Sequence, residues 1–213
     1  MKITIIYDNE AYKQDLRADW GFSSLIEVEN TPKILFDTGA NGGILLSNMR
    51  KLDIDPSSIE EVFISHAHWD HIGGLSDFLR ANNDVKVYIP KTCPKPSGAK
   101  EVIVVKNALK IHDNVFSTGE LDGIEQSLCI KTNKGIVLIV GCSHPEMKHI
   151  LKAASEFGEV YAIIGGLHGF REFELFKELK LICPSHCTQY KQEIFSLYPD
   201  KCIKGGAGRT IEV

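Results

Sequence analysis

Residues 66–71 read His-Ala-His-Trp-Asp-His, and no other stretch constrains the chain so tightly. Three imidazoles and one carboxylate fall within six consecutive positions, behind the apolar run Val62-Phe63-Ile64 and ahead of Ile72-Gly73-Gly74-Leu75. The apolar run is short, β-branched and aromatic, which predicts a buried strand. The polar cluster then lies on the loop leaving that strand's C-terminal end, where α/β proteins commonly place their chemistry. Packing offers no reason to crowd so many costly polar groups together at one strand end. Imidazole with carboxylate is a borderline-to-hard donor set suited to zinc, iron or manganese. Metal binding is the first expectation.

A chain of 213 residues supports one well-buried core, so a single α/β domain over 1–213 is expected. Its 43% hydrophobic and 24% charged residues are those of an ordinary soluble globule. A net charge of −4 prepares no basic field for phosphate backbones, which argues against nucleic acid as a partner. No apolar run approaches membrane-spanning length, and residues 1–8 alternate like a strand rather than a signal peptide. The expected location is cytoplasmic, with no membrane partner. None of the six cysteines forms a CxxC pair. Cys129, Cys183 and Cys202 read as buried thiols, whereas Cys142 and Cys187 stand apart because each lies close to a histidine.

Strands are predicted over 1–8, 24–28, 33–36, 62–64, 85–90, 127–132, 135–140, 160–164 and 181–183. Helical spacing covers 43–52, then Ile72, Leu75, Phe78 and Leu79, and later Met147, Ile150, Leu151, Ala154 and Phe157. That last helix is expected to have Ser143 or His144 near its N-cap and Pro145 in its first turn. Residues 171–180 read as helical, a final helix reaches 197 or 198, and two short strands close the chain around 205–208. Asp37, the 66–71 cluster, His144, His168 and His186 each follow a predicted strand directly. A sheet would bring those ends to one edge. His112 and His149, in a doubtful strand and off a helix's apolar stripe, read as surface or satisfied polar residues.

With its His-x-His-x-Asp-His motif and later strand-end histidines, the sequence resembles the metallo-β-lactamase superfamily over nearly its whole length. The succession Asp8-Asn9, Gly21-Phe22-Ser23, Phe36-Asp37-Thr38-Gly39, His66 to Leu75, Gly141-Cys142-Ser143-His144, Gly165-Gly166-Leu167-His168 and His186-Cys187-Thr188 is similar to the branch containing archaeal dihydropterin-type synthases. Those enzymes make a pterin–aminobenzene–ribose phosphate conjugate. The resemblance implies a four-layer αββα sandwich with its site at one edge of two sheets. It implies that His66, His68 and His144 hold one metal, and Asp70, His71 and His186 a second. Asp37 matches an acidic residue that hydrogen-bonds a ligand imidazole.

One position departs from the family. Many dinuclear members carry a bridging aspartate in a Gly-Asp pair, and here the corresponding pair is Gly141-Cys142. Either Cys142 supplies a thiolate, which favours zinc, or His168 fills the vacancy or faces the substrate, or Cys142 is a buried thiol. Flavin-linked diiron members have a glutamate in place of His68, so the imidazole triad leans toward zinc over iron or manganese and toward Lewis-acid chemistry. One or two divalent ions are implied, with metal-bound hydroxide as nucleophile and Asp70 and His168 as catalytic groups. The functions in view are a hydrolase of a small phosphorylated or ester-like metabolite, a dihydropterin-synthase-like transferase, and a non-catalytic metal-binding protein. An anionic small-molecule substrate is expected from the amides at the helix start near Pro145 and from Lys91, Lys95 and Lys100. Trp20 and Phe22 are candidates to flank a flat ring, or to pack beneath their loop.

Overall fold

Alternation along the strands sets the layers. In the computed structural model, which describes residues 1–213, one sheet runs in the order β13 (Thr210–Glu212), β1 (Lys2–Tyr7), β2 (Ser23–Glu27), β3 (Ile34–Phe36), β4 (Glu61–Phe63), β5 (Lys86–Pro90), β6 (Glu101–Val105). The second runs β12 (Leu181–Ser185), β11 (Val160–Gly166), β10 (Gly135–Val140), β9 (Leu128–Thr132), β8 (Val115–Ser117), β7 (Leu109–His112). On β3, Ile34 and Phe36 face the second sheet while Leu35 faces outward. On β10, Val137 and Ile139 face inward while Ile136 and Leu138 face out. This period-two pattern buries both faces of each sheet.

The helices cover the outer faces. Helices α1 (Gly42–Lys51) and α3 (Leu75–Ala81) set Ile44, Leu45, Met49, Leu75 and Phe78 against the first sheet. Helices α4 (Met147–Ser155) and α5 (Lys191–Leu197) set Met147, Ile150, Ala154 and Ile194 against the second. Full burial of a Leu, Ile, Met or Phe side chain contributes about 1.5–3 kcal/mol. The result is the four-layer αββα sandwich.

Three local expectations fail. Residues 171–180 form only one 3₁₀ turn, Phe173–Phe176. Phe170, Phe173, Phe176 and Leu179 recur every third residue, the spacing of a 3₁₀ turn rather than of an α-helix. Helix α4 begins after Pro145, with Glu146 at its N-cap, because the amides of 141–144 are engaged elsewhere. At the C-terminus only β13 forms, since Gly206 (φ +117°) and Gly208 (φ +92°) turn the chain where another strand was expected. No helix is long and apolar enough to cross a membrane.

Strands β3, β4 and β5 pair in parallel, as do β10, β11 and β12. Their C-terminal loops meet at one edge of the sandwich. Asp37, Ser143, His168 and His186 on those loops are four of the seven non-glycine residues with positive φ. Such backbone strain is retained where surrounding contacts hold it.

Candidate metal centre

The spacing of the 66–71 motif follows from the turn it makes. His66 leaves β4 buried, His68 is the N-cap of the short helix α2 (Trp69–Ile72), and Asp70 and His71 lie in its first turn. Gly73 and Gly74 then let the chain press against residues 38–40, because a Cβ at either would sit 2.2–2.3 Å from Ala40 O or Thr38 O. Thr38 in return donates its N–H and its hydroxyl to His71 O at 2.8 and 2.9 Å.

Two groups of donor atoms result. His68 Nδ1 lies 3.0 Å from His66 Nε2 and 3.1 Å from His144 Nε2. Two nitrogens on one tetrahedral zinc are separated by about 3.3 Å, given bonds of about 2.0–2.1 Å. His68 Nδ1 presents one proton or one lone pair in a single direction, so it cannot make a straight hydrogen bond to both rings, and a cation among the three nitrogens would satisfy them together. The second group joins Asp70, His71, Cys142 and His186, whose ligand atoms lie within 4.8 Å of one another. There His186 Nε2 is buried and makes no hydrogen bond, although Asp70 Oδ2 is 3.2 Å away. Cys142 also falls within 4.8 Å of His66 and His144, so its sulfur stands between the two groups. These donors fit divalent metal.

Groups behind the imidazoles aim their lone pairs inward. Asp37 accepts from His71 Nδ1 at 2.7 Å and from Ser65 N and Oγ at 2.7 and 2.6 Å. Ser65 Oγ, its proton given to Asp37, accepts from His66 Nδ1 at 2.9 Å. Asn9 Oδ1 accepts from His186 Nδ1 at 2.8 Å. In all three rings Nδ1 holds the proton and Nε2 faces the cluster. Burial, and then the neighbouring rings of His71, His144 and His68, keep His66 neutral far below the usual histidine range. Burial and the His68 and His168 rings bring His144 down to about 4. Burial disfavours charge on His71, but Asp37, Asp70 and Glu125 outweigh it and raise its pKa. Burial also works against the Asp70 carboxylate, yet the His186 and His71 rings hold it well below the usual carboxylate range.

Two contributors, Glu125 and Asp122, had no role assigned from the sequence. Glu125, fully buried, accepts backbone N–H bonds from Gly141, Cys142 and Ser143 through Oε1 and from His144 through Oε2, all within 2.9–3.1 Å. Burial pushes its carboxyl up, and those amides with His71 pull it partly back. Glu125 and Asp122, which takes the Glu146 N–H, thus occupy the amides expected to greet an anion. Trp20 Nε1 donates to Asp70 Oδ2 at 2.9 Å, and the half-exposed indole stands edge-on to His186. Phe22, by contrast, is buried in the core between the sheets. Cys187 Sγ lies 3.3 Å from Cys142 Sγ, and the hydrogen bond between them lowers Cys187 and pushes Cys142 up.

Other candidates stand elsewhere. His112 bonds buried Glu61 at 2.8 Å, and His149 bonds Asp122 on the surface. Cys129 and Cys183 are buried thiols, Cys202 is partly buried, and Lys100 pairs with Asp84. His168 is exposed at the rim, its ring 5.1 Å from that of His144.

The profile of the metallo-beta-lactamase superfamily matches residues 18–128, more than half of the chain. The chain belongs to the metallo-beta-lactamase superfamily. Among curated relatives of this superfamily member, the 7,8-dihydropterin-6-methyl-4-(beta-D-ribofuranosyl)-aminobenzene-5'-phosphate synthase of Methanocaldococcus jannaschii is 28% identical, covering 89% of this chain and 88% of its own. Among solved structures, a metal-dependent hydrolase of the beta-lactamase superfamily superposes with a TM-score of 0.81 at 24% identity, over 100% of this chain and 99% of its own. The short form of human tRNase Z superposes with a TM-score of 0.65 at 16% identity, over 100% and 99%. Both structures share the metallo-beta-lactamase fold with this chain.

Proposed function

We propose that this chain is a zinc-dependent hydrolase of a small anionic phosphate or carboxylate ester. The observation that carries the reading is the pair of donor groups meeting at Cys142, with imidazole lone pairs turned inward by Asp37, Ser65 and Asn9. Two divalent ions, held by His66, His68 and His144 and by Asp70, His71 and His186 with Cys142 between them, would supply activated water and stabilisation of developing charge. A thiolate among the donors favours zinc.

The remaining steps belong to the chain's own side chains. Asp70, steadied by the Trp20 N–H, orients the attacking water through its acceptor oxygens. His168 stands exposed beside His144 and hands a proton to the leaving oxygen. A cavity of about 380 Å³ adjoins both rings, with Met147, Leu167 and Phe170 as apolar wall and Arg171, Glu146 and Glu172 as its charged lining. The Arg171 guanidinium stacks 4.3 Å from the Tyr190 ring centre and pairs with no carboxylate. It is the anchor for the substrate's anionic group.

One observation favours a second reading. The M. jannaschii relative, aligned over most of both chains, is named a synthase. In that case an arylamine nitrogen, not water, attacks a pterin diphosphate in the same site. The deciding experiment assays zinc-loaded protein on 4-nitrophenyl phosphodiester and ester substrates, and on a pterin diphosphate with and without the aminobenzene partner. Hydrolysis abolished by chelation and by His68→Ala supports the hydrolase. Coupling with no free hydrolysis supports the synthase, and zinc-loaded protein inert in every assay overturns both.

A further inference from the structure

We propose that Cys142, Cys187 and His168 form a third cation position, at the rim of the cluster, selective for soft ions such as cadmium. It shares Cys142 and His168 with the proposed catalytic site and rests on that reading at no other point. The ligand atoms of the three residues lie within 4.8 Å of one another, and the two sulfurs are 3.3 Å apart. Neither Cys187 nor His168 belongs to the two inner groups, which are built mainly of imidazole and carboxylate.

The backbone holds these three donors together. Gly166 N donates to Gly141 O at 3.0 Å, and Ser143 Oγ donates to Gly166 O at 2.8 Å, locking the loops after β10 and β11. Leu167 N donates to Thr188 Oγ1 at 3.0 Å, and Gln189 N donates to His168 O at 2.9 Å, locking the loops after β11 and β12. The second lock keeps His168 at φ +43°, a left-handed conformation that costs a non-glycine residue about 1 kcal/mol or more. Gly166 makes the space: a Cβ there would lie 2.7 Å from Cys187 Sγ and 2.5 Å from Gly141 O. The thiols pack side by side because that Cβ is missing.

Donor chemistry and burial decide the occupant. Two thiolates and one imidazole are a soft-to-borderline set, preferred by thiophilic ions over magnesium or calcium. Cys142 and Cys187 are buried, while His168 is exposed, so an ion meets the imidazole first and exchanges its water for sulfur inside. Binding releases the thiol protons to solvent. An ion here would engage the sulfur of Cys142 and take the nitrogen of His168. Soft ions in excess therefore inhibit without displacing zinc.

The test titrates zinc-loaded protein with cadmium chloride. It reads thiolate-to-cadmium absorption in the ultraviolet, and the zinc and cadmium retained after gel filtration. Wild-type protein is expected to retain one more cadmium per chain than Cys187→Ser, with zinc content equal in the two. The exposed variant His168→Ala, which spares the buried thiols, is expected to weaken cadmium binding by roughly tenfold. Equal cadmium retention in wild type and Cys187→Ser overturns the proposal, as does zinc-loaded wild type without thiolate absorption. Cadmium uptake matched by zinc release in both proteins also overturns it. Failure of the hydrolase reading looks different: no zinc is bound, or the zinc-loaded protein is inactive, whatever cadmium does.

Discussion

Replacing Glu125 by glutamine isolates the contribution of one buried carboxylate to the loop that carries Cys142 and His144. Glutamine keeps the shape and can leave an oxygen facing the amides of Gly141, Cys142 and Ser143, now at 2.9, 3.0 and 3.1 Å. Those three bonds fall from the charge-assisted class, about 1.5–3 kcal/mol, to the neutral one, about 0.5–1.5, a loss of roughly 3 kcal/mol together. The amide NH₂ then faces the His144 N–H, now 3.0 Å from Oε2, and an orphaned buried donor costs about 1–3 kcal/mol. Against this, the variant no longer buries a charge, the effect that raises the Glu125 pKa. The balance is a net loss of about 2–4 kcal/mol, or roughly 5–15 °C in melting midpoint for a chain of this size. Thermal denaturation of chelator-treated protein measures this first quantity. Zinc competition against a chromogenic chelator measures the second, expected to weaken by about 10–100-fold as the loop loosens. A variant that melts lower yet binds zinc like wild type would show that Glu125 supports the fold without positioning the donors. An unchanged midpoint would refute the energetic argument itself.

Three further outcomes follow from the geometry. Asp37→Asn keeps one acceptor oxygen and sets an NH₂ donor against either His71 Nδ1 or the Ser65 N–H, so zinc affinity is expected to fall by about 10–100-fold, read by the same competition; wild-type affinity would mean His71 is oriented by other contacts. Gly166→Ala forces a methyl against Gly141 O and Cys187 Sγ and should cost about 1–3 kcal/mol in chemical denaturation, a loss absent if the two loops part freely. Finally, chelated protein should lose stability as pH falls from about 6.5, where unfolded histidine protonates, to about 4, where folded His144 does. In that window His144 binds more protons unfolded than folded; His66, lowered further, acts in the same sense, and raised His71, Glu125 and Asp8 in the opposite one. A denaturation midpoint that stays flat between those pH values contradicts this.

Much of the site was legible because its signals are local. A short apolar run followed at once by His66, His68, Asp70 and His71 places four donors on one turn, whatever the rest of the chain does. His144, His168 and His186 likewise sit directly behind β10, β11 and β12. Asp37, directly behind β3, accepts from His71 Nδ1. Less local features escaped. Glu125 lies between short strands with no periodic signal, and only the folded loop shows four amides converging on it. Residues 171–180 read as helical, whereas only Phe173–Phe176 turn, as 3₁₀, with Phe176 and Leu179 packed in the core outside the second sheet.

By itself, then, the order of residues determined which side chains follow which strands, and so the layered fold and the imidazole-rich edge, because strand alternation and ligand spacing act over a few neighbouring positions. Whether Cys142 was a bridge, a buried thiol or something else could not be read from Gly141-Cys142. That depended on Cys187, 45 positions away, reaching within 3.3 Å of it beneath Gly166. Distances across loops from three separate strands are set only when the sheets pack, since no local preference ties one strand's end to another's.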